Sequence, residues 1–105
     1  MSLLNSQKKQ YKAIGHKLKP VVTVAENGLN KGVLHELERA LRDHELIKIR
    51  INVEDREDKK VLIGKVCDLT SSILIQVIGK TALVFRAADK PNPKLSNILR
   101  NQGAL

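Results

Sequence analysis

The segment Ile47-Lys48-Ile49-Arg50-Ile51-Asn52-Val53 decides the fold, because its apolar and polar side chains alternate strictly. Successive side chains of a β-strand point to opposite faces of a sheet, so this period of two predicts a strand with one apolar face and one polar, cationic face. Every apolar position holds a β-branched residue, which favours the extended conformation. The centre of the chain is therefore predicted to be a half-buried strand.

Helical periodicity flanks this strand on both sides. Upstream, apolar residues recur at helical spacing over 33–41, and Asn30 before them is a good N-cap. Leu29 and Leu34 can close a hydrophobic staple at the same helix start. Downstream, acidic residues between 54 and 58 suit the positive N-terminal end of another helix. The predicted core positions of that helix are Val61, Leu62, Val66 and Leu69.

The order of the remaining elements defines the fold class. A lysine-rich helix is predicted to end near Gly15, and the β-branched run Val21–Val24 after it predicts a buried strand. Two more apolar runs, 73–78 and 81–86, are separated only by Gly79-Lys80, which matches a type II′ hairpin. The order α-β-α-β-α-β-β predicts an α/β fold, an open two-layer sandwich with a mixed four-stranded sheet. Right-handed crossovers place its second and third helices on the same side of the sheet.

The length of 105 residues, 42% of them hydrophobic, is sufficient for one core. We therefore expect one domain over residues 1–87. From residue 88 the apolar pattern stops, and Pro91 and Pro93 interrupt any regular element. A basic, mobile tail is predicted over residues 88–105, with a short helical stub around residues 95–99.

The charge of the chain indicates a polyanionic partner. Nineteen Lys and Arg residues against eleven Asp and Glu residues leave a formal charge of +8. Such a surplus attracts nucleic acid first and an anionic membrane surface second. The first 24 residues contain lysines and no acid. Because the only aromatic residues are Tyr11 and Phe85, stacking on bases has few platforms, and RNA binding should depend on backbone charge and RNA shape.

Patterns typical of catalysis or of a cofactor are weak. Gly-Lys-Thr at positions 79–81 resembles the end of a P-loop, but the required glycine five positions before Gly79 is absent, and a strand follows. His35, Glu36 and Glu38 lack the second histidine of a zinc motif. Cys67 has no second thiol with which to form a disulfide, which fits a reducing cytoplasm. We expect a cytoplasmic monomer without a catalytic site, metal or cofactor, and without a segment long enough to span a membrane.

Several short motifs in register also match a known family. They are His16-x-Leu18-Lys19-Pro20-Val21-Val22, Asn27-Gly28-Leu29, Leu46–Arg50, Asp55-Arg56-Glu57, Gln76–Lys80 and Leu83–Arg86. Over roughly residues 4–87 the chain resembles the bacterial YhbY-type proteins of the chloroplast RNA splicing and ribosome maturation (CRM) domain family. The resemblance implies a fold like the C-terminal domain of translation initiation factor three, with sheet order 1-2-4-3. It also implies RNA binding and association with precursors of the large ribosomal subunit.

The same family carries a Gly-x-x-Gly loop before its second helix, similar to the loop with which KH domains clamp nucleic-acid backbone. In this chain the four positions are Ala25-Glu26-Asn27-Gly28. Alanine would be strained here if position 25 required a positive φ, and Glu26 would repel a phosphate unless it pointed away. We expect the loop to remain a contact, with the flanking lysines contributing more.

The function predicted from these observations is that of a non-enzymatic protein that binds structured rRNA of the large-subunit precursor and assists ribosome assembly. The predicted RNA-binding residues are Lys8, Lys9, Lys12, Lys17, Lys19, Asn27, Gly28, Lys31, Lys48, Arg50, Lys80 and Arg86. Lys48 and Arg50 can contribute only if the first helix leaves their face of the sheet open. The alternative is a protein-interaction module that docks on a ribosomal protein or an assembly GTPase.

Overall fold

The computed structural model describes residues 3–25 and 28–104. Along them lie α1 (Asn5–Gly15), β1 (Pro20–Ala25), α2 (Lys31–His44), β2 (Leu46–Asn52), α3 (Arg56–Thr70), β3 (Ile73–Ile78), β4 (Thr81–Phe85) and a 3-10 helix (Leu99–Ala104). The predicted α/β fold and its element order are confirmed. Within the described ranges, no helix is both long enough and apolar enough to cross a bilayer.

The strands form one mixed sheet in the order β1-β2-β4-β3, as the family resemblance implied. β1 runs parallel to β2, whereas β4 is antiparallel to both of its neighbours. Gly79 starts the turn between β3 and β4 with φ of +57°. The first position of a type II′ turn requires such a positive φ, which glycine adopts without strain.

The larger core lies between the sheet and the helix pair α2 and α3. The apolar side chains of β2 from Ile47 to Val53 are buried in it, while Arg50 and Asn52 are exposed on the other face, which confirms the predicted alternation. Helix α2 contributes Leu37 and Leu41, and α3 contributes Ile63 and Val66. Both crossover helices therefore cover the same face of the sheet, as predicted.

The buried side of α3 differs from the prediction. Leu62 and Val66 pack on the core, but Val61 and Leu69 are 56% and 58% exposed. Ile63 and Thr70 occupy buried positions with Val66, at the i, i+3, i+7 spacing of one helix face. The helix carries apolar residues on more than one side, and its periodicity alone does not determine which side meets the sheet.

Helix α1 packs on the opposite face of the sheet and forms a second, smaller core. Tyr11 and Ile14 contact Leu83 and Phe85 there, with the Tyr11 and Phe85 ring centroids 4.8 Å apart. Gly15 makes the closest approach, since a Cβ at this position would lie 2.5 Å from Cδ2 of Leu83. Because α1 packs on β2, β4 and β3 and hardly on β1, it covers only part of this face.

The chain after β4 turns back onto the domain. Glu45, which follows α2, is buried, and its carboxylate accepts hydrogen bonds from the Ser96 hydroxyl at 2.6 Å and the Ala88 amide at 2.8 Å. Asn97 donates from Nδ2 to the Leu46 carbonyl at 2.7 Å. Ile98 joins the core beneath α1.

These contacts place the segment against the domain, and the 3-10 helix begins only at Leu99, after most of the helical stub predicted around residues 95–99. The mobility of residues 88–105 stays a prediction. The anchors Ser96 and Asn97 are polar, so they leave no apolar periodicity in the sequence. The division of the chain at residue 87 stays a prediction.

Candidate nucleic-acid interface

Helix α1 and the turn after it display a row of lysines. Because Tyr11 and Ile14 hold one side of α1 against the sheet, Lys9 and Lys12 lie on the outer side and are exposed, while Lys8 is half-buried. In the connection to β1, the exposed side chains include Lys17 and Lys19. Among the described residues, no carboxylate lies within the 4.0 Å of an ion pair from any of these lysines.

The acidic side chains form their ion pairs elsewhere. The pairs found in the described ranges are Arg39–Asp43 at 4.0 Å, Arg42–Asp43 at 3.9 Å, Lys80–Glu54 at 2.6 Å and Arg86–Glu38 at 2.7 Å. All of them lie in α2 or further along the chain. Since residues 1–24 hold five lysines and no acid, a large share of the net positive charge lies on the α1 side of the molecule.

The cationic surface continues onto the sheet. Lys48 and Arg50 lie on the face of β2 that α1 partly covers. Lys48 is half-buried and lines a shallow depression with Gly15 and His16, whereas Arg50 is exposed. Helix α1 therefore leaves Arg50 accessible to RNA and leaves Lys48 accessible only in part.

Gly28, after β1, bonds back to the end of the strand and leaves open space at its Cα. The Gly28 amide donates to the Ala25 carbonyl at 2.9 Å, and Gly28 has φ of +84°. Ala25 does not have a positive φ, so alanine in place of the first glycine carries no such strain. Apart from its chain neighbours, no described residue has an atom within 4 Å of the position that a Gly28 Cβ would occupy. A ligand can therefore approach the backbone at Gly28 closely.

The helix after this loop begins as predicted. Asn30 caps α2 by accepting the Val33 amide on Oδ1 at 2.9 Å, and Lys31 is exposed in the first turn. The predicted contact Asn27 lies outside the described residues, as does Glu26.

The profile of the CRS1/YhbY (CRM) domain matches residues 3–86. The chain belongs to this family. A probable RNA-binding protein of Pseudomonas aeruginosa is 56% identical over 103 residues, which cover 98% of this chain and 99% of the relative. An RNA-binding protein of Haemophilus influenzae is 38% identical over 96 residues, covering 90% and 97%. The solution structure of a Staphylococcus aureus protein proposed to bind RNA superposes with a TM-score of 0.75 at 26% identity, covering 90% of this chain and 98% of that one.

Two of the cations predicted to bind RNA are engaged within this CRM domain. Arg86 donates from Nη1 to the Glu38 carboxylate at 2.7 Å and to the Thr70 carbonyl at 3.0 Å, and its side chain is only 24% exposed. It ties the end of β4 to α2 and α3, so we expect a structural role for Arg86 in place of the RNA contact predicted from the sequence. Lys80 is more exposed, but its hydrogen bond and charge hold the pKa of Glu54 below its usual range.

His16 is a candidate that the charge pattern did not single out. It is exposed between Lys12 and Lys17, and it borders the same depression as Lys48. A neutral histidine adds nothing to a count of formal charge, although its ring can donate a hydrogen bond to a phosphate. The sequence offered two signals for it, its position between lysines and its place at the start of a motif shared with the family.

The part of the CRM domain that the structure describes holds no cluster of metal-ligating side chains, and its cysteine is partly buried. No group of three or more His, Cys, Asp or Glu side chains there is placed to hold a metal ion. Burial raises the pKa of the Cys67 thiol, which lowers the fraction of reactive thiolate.

Proposed function

We propose that this CRM domain binds structured RNA through its phosphates, as a cytoplasmic monomer that catalyses no reaction. The RNA proposed is rRNA in the precursor of the large ribosomal subunit, whose assembly the protein assists. One observation carries the proposal: the exposed lysines of α1 and the following turn lie on the same side of the sheet as Arg50, and no described acid pairs with them. RNA-binding relatives in two bacteria support RNA as the polyanion.

The aromatic residues favour recognition of shape and backbone. Tyr11 and Phe85 are 9% and 5% exposed, and both lie in the core beneath α1. Neither ring is therefore free to stack on an unpaired base, as single-strand binders require. Lysines on a curved surface can instead follow the phosphates of an RNA helix, whose grooves limit base readout.

The proposed interface has a principal and a secondary part. The principal part consists of Lys8, Lys9, Lys12, Lys17, Lys19, Lys48 and Arg50, with His16 among them. The secondary part is the loop at Asn27 and Gly28 with Lys31 at the start of α2. Lys80 contributes only to the extent that phosphate competes with Glu54.

The salt dependence of RNA binding tests this proposal. Each lysine that meets a phosphate releases about one condensed counterion, so replacing it should lower the log-log salt slope by somewhat less than one unit. We expect Lys12→Ala and Lys19→Ala to do so, and to weaken binding to rRNA fragments and tRNA alike. Lys60→Ala is the matched control, since it removes one exposed charge from α3 in the opposite layer. If all three variants kept the wild-type slope, phosphate contact by α1 would be wrong.

Binding to a protein remains the second candidate, because β3 is an edge strand with exposed Leu74, Val77 and Ile78. An unpaired strand edge can accept a strand from a partner. Excess tRNA should displace the protein from its cellular complexes if RNA is the partner. Complexes that persist under this competition would favour docking on a protein.

A further inference from the structure

An open groove separates the glycine loop from the outer side of α3. It has a volume of about 580 Å³ and begins at Gly28. Leu29, Val53 and Leu62 form its apolar part, and Val61, exposed on α3, completes the lining. Sites for small ligands commonly have volumes of about 300–1,000 Å³, so the groove can hold one molecule the size of a nucleotide.

Two polar side chains of opposite charge line this groove. Asp58 and Lys65 both line it and are seven residues apart on α3, which separates them by about 10 Å along the helix axis. Neither has an ion-pair partner among the described residues, and no described donor reaches the Asp58 carboxylate. An acceptor, an apolar stretch and a cation thus follow one another along the helix.

We propose that this groove binds a single unpaired nucleotide of the RNA, with guanine preferred; the inference rests on the proposed function. Guanine presents two adjacent N–H donors on its base-pairing edge, which match the two oxygens of the Asp58 carboxylate. Val61 and Leu62 contact the face of the base, and Lys65 lies at the distance of the phosphate. Uracil presents one N–H between two carbonyl oxygens, and these oxygens repel a carboxylate.

The groove adjoins the secondary part of the proposed RNA interface. It starts at Gly28, where the backbone is open to a close approach, and Lys31 lies three residues further along the chain. A strand whose phosphate contacts the loop and Lys31 can therefore place the adjacent base in the groove. The base must be unpaired, because pairing occupies the edge that Asp58 recognises. The preferred RNA is therefore a helix that is followed by an unpaired guanosine in a bulge or a loop.

Two mononucleotides provide the direct test. Guanosine 5′-monophosphate, added to the isotope-labelled full chain, should shift the amide resonances of Leu29, Val53 and Leu62. Uridine 5′-monophosphate should bind at least about fivefold more weakly, the lower limit of discrimination by a bidentate contact. Asp58→Asn should remove this preference. Equal binding of the two nucleotides, or shifts that avoid the groove, would overturn the proposal.

A matched pair of variants places the effect in the groove. Val61 and Leu69 have similar exposure on the same helix, but Leu69 does not line the groove. Val61→Glu should abolish the guanosine monophosphate shifts and reduce binding of an RNA hairpin with a bulged guanosine to that of the fully paired hairpin. Leu69→Glu should do neither, and the melting curves of both variants show whether they fold.

The outcomes separate this inference from the proposed function. If Val61→Glu and Leu69→Glu bind the bulged hairpin equally while Lys12→Ala weakens it, the groove is not a nucleotide site and RNA binding by α1 stands. If Val61→Glu instead loses a protein partner with RNA binding unchanged, the groove belongs to a protein interface and the inference is wrong. If none of the variants alters RNA binding, the proposed function fails as well.

Discussion

Removing the segment after Ala88 tests how far the fold depends on residues beyond the sheet. In the intact chain, the Ser96 hydroxyl donates to the buried Glu45 carboxylate at 2.6 Å, and Asn97 donates to the Leu46 carbonyl at 2.7 Å. The truncation removes both donors and takes Ile98 out of the core beneath α1. The amide of Ala88, at 2.8 Å from Glu45, remains.

The magnitude follows from these contacts. A hydrogen bond to a buried charged group contributes about 1.5–3 kcal/mol, and one between neutral groups about 1 kcal/mol. Water reaches Glu45 once the segment is gone and restores part of the loss, so we expect the free energy of unfolding to fall by about 2–3 kcal/mol. For a domain of this size, each kcal/mol lowers Tm by about 4–8 °C, which gives a decrease of about 8–24 °C.

Thermal and urea unfolding followed by circular dichroism measure this loss. Ser96→Ala in the full chain should by itself cost about 1.5–3 kcal/mol, because the carboxylate then stays buried with one donor fewer. Lys94→Ala, exposed in the same segment, is the control and should change stability by less than about 0.5 kcal/mol. If the truncated chain melted within about 5 °C of the intact one, the contacts would be too weak to matter, and a domain ending at residue 87 would be the better description.

Two further variants test local features of the fold. Burial, and secondarily the charge of Glu45, raises the pKa of Tyr11, so the folded state favours the neutral phenol. The stability that this contributes is present below the ordinary pKa of 10.0 and is lost as the pH rises through the pKa of the folded state. Tyr11→Phe should therefore reduce the alkaline loss of stability in urea titrations above that pH, and an unchanged pH profile would contradict this. Arg86→Leu should destabilise the domain by about 1–3 kcal/mol, since it leaves Glu38 and the Thr70 carbonyl without a donor. We expect the RNA affinity of Arg86→Leu to be unchanged at a temperature where the variant is folded. A lower affinity under those conditions would show that Arg86 contacts RNA.

Local pattern determined most of the secondary structure. The alternation of β2, the Asn30 cap of α2 and the glycine turn before β4 each depend on residues within a few positions of one another. Backbone geometry links such neighbours directly to the conformation they adopt, so the sequence alone predicts them. The excess of lysine before residue 25 was also visible without a structure, because formal charge is a property of composition.

Only the tertiary structure decided which side chains remain available to a ligand. Arg86 is a cation by sequence, but its acceptors, Glu38 and Thr70, lie 48 and 16 residues away, and only the folded path brings them together. The same reason applies to Ser96, which reaches Glu45 across 51 residues. Val61, predicted to be core, lines the groove instead, because the side of α3 that meets the sheet is set by packing against α2 and β4 rather than by the helix's own periodicity.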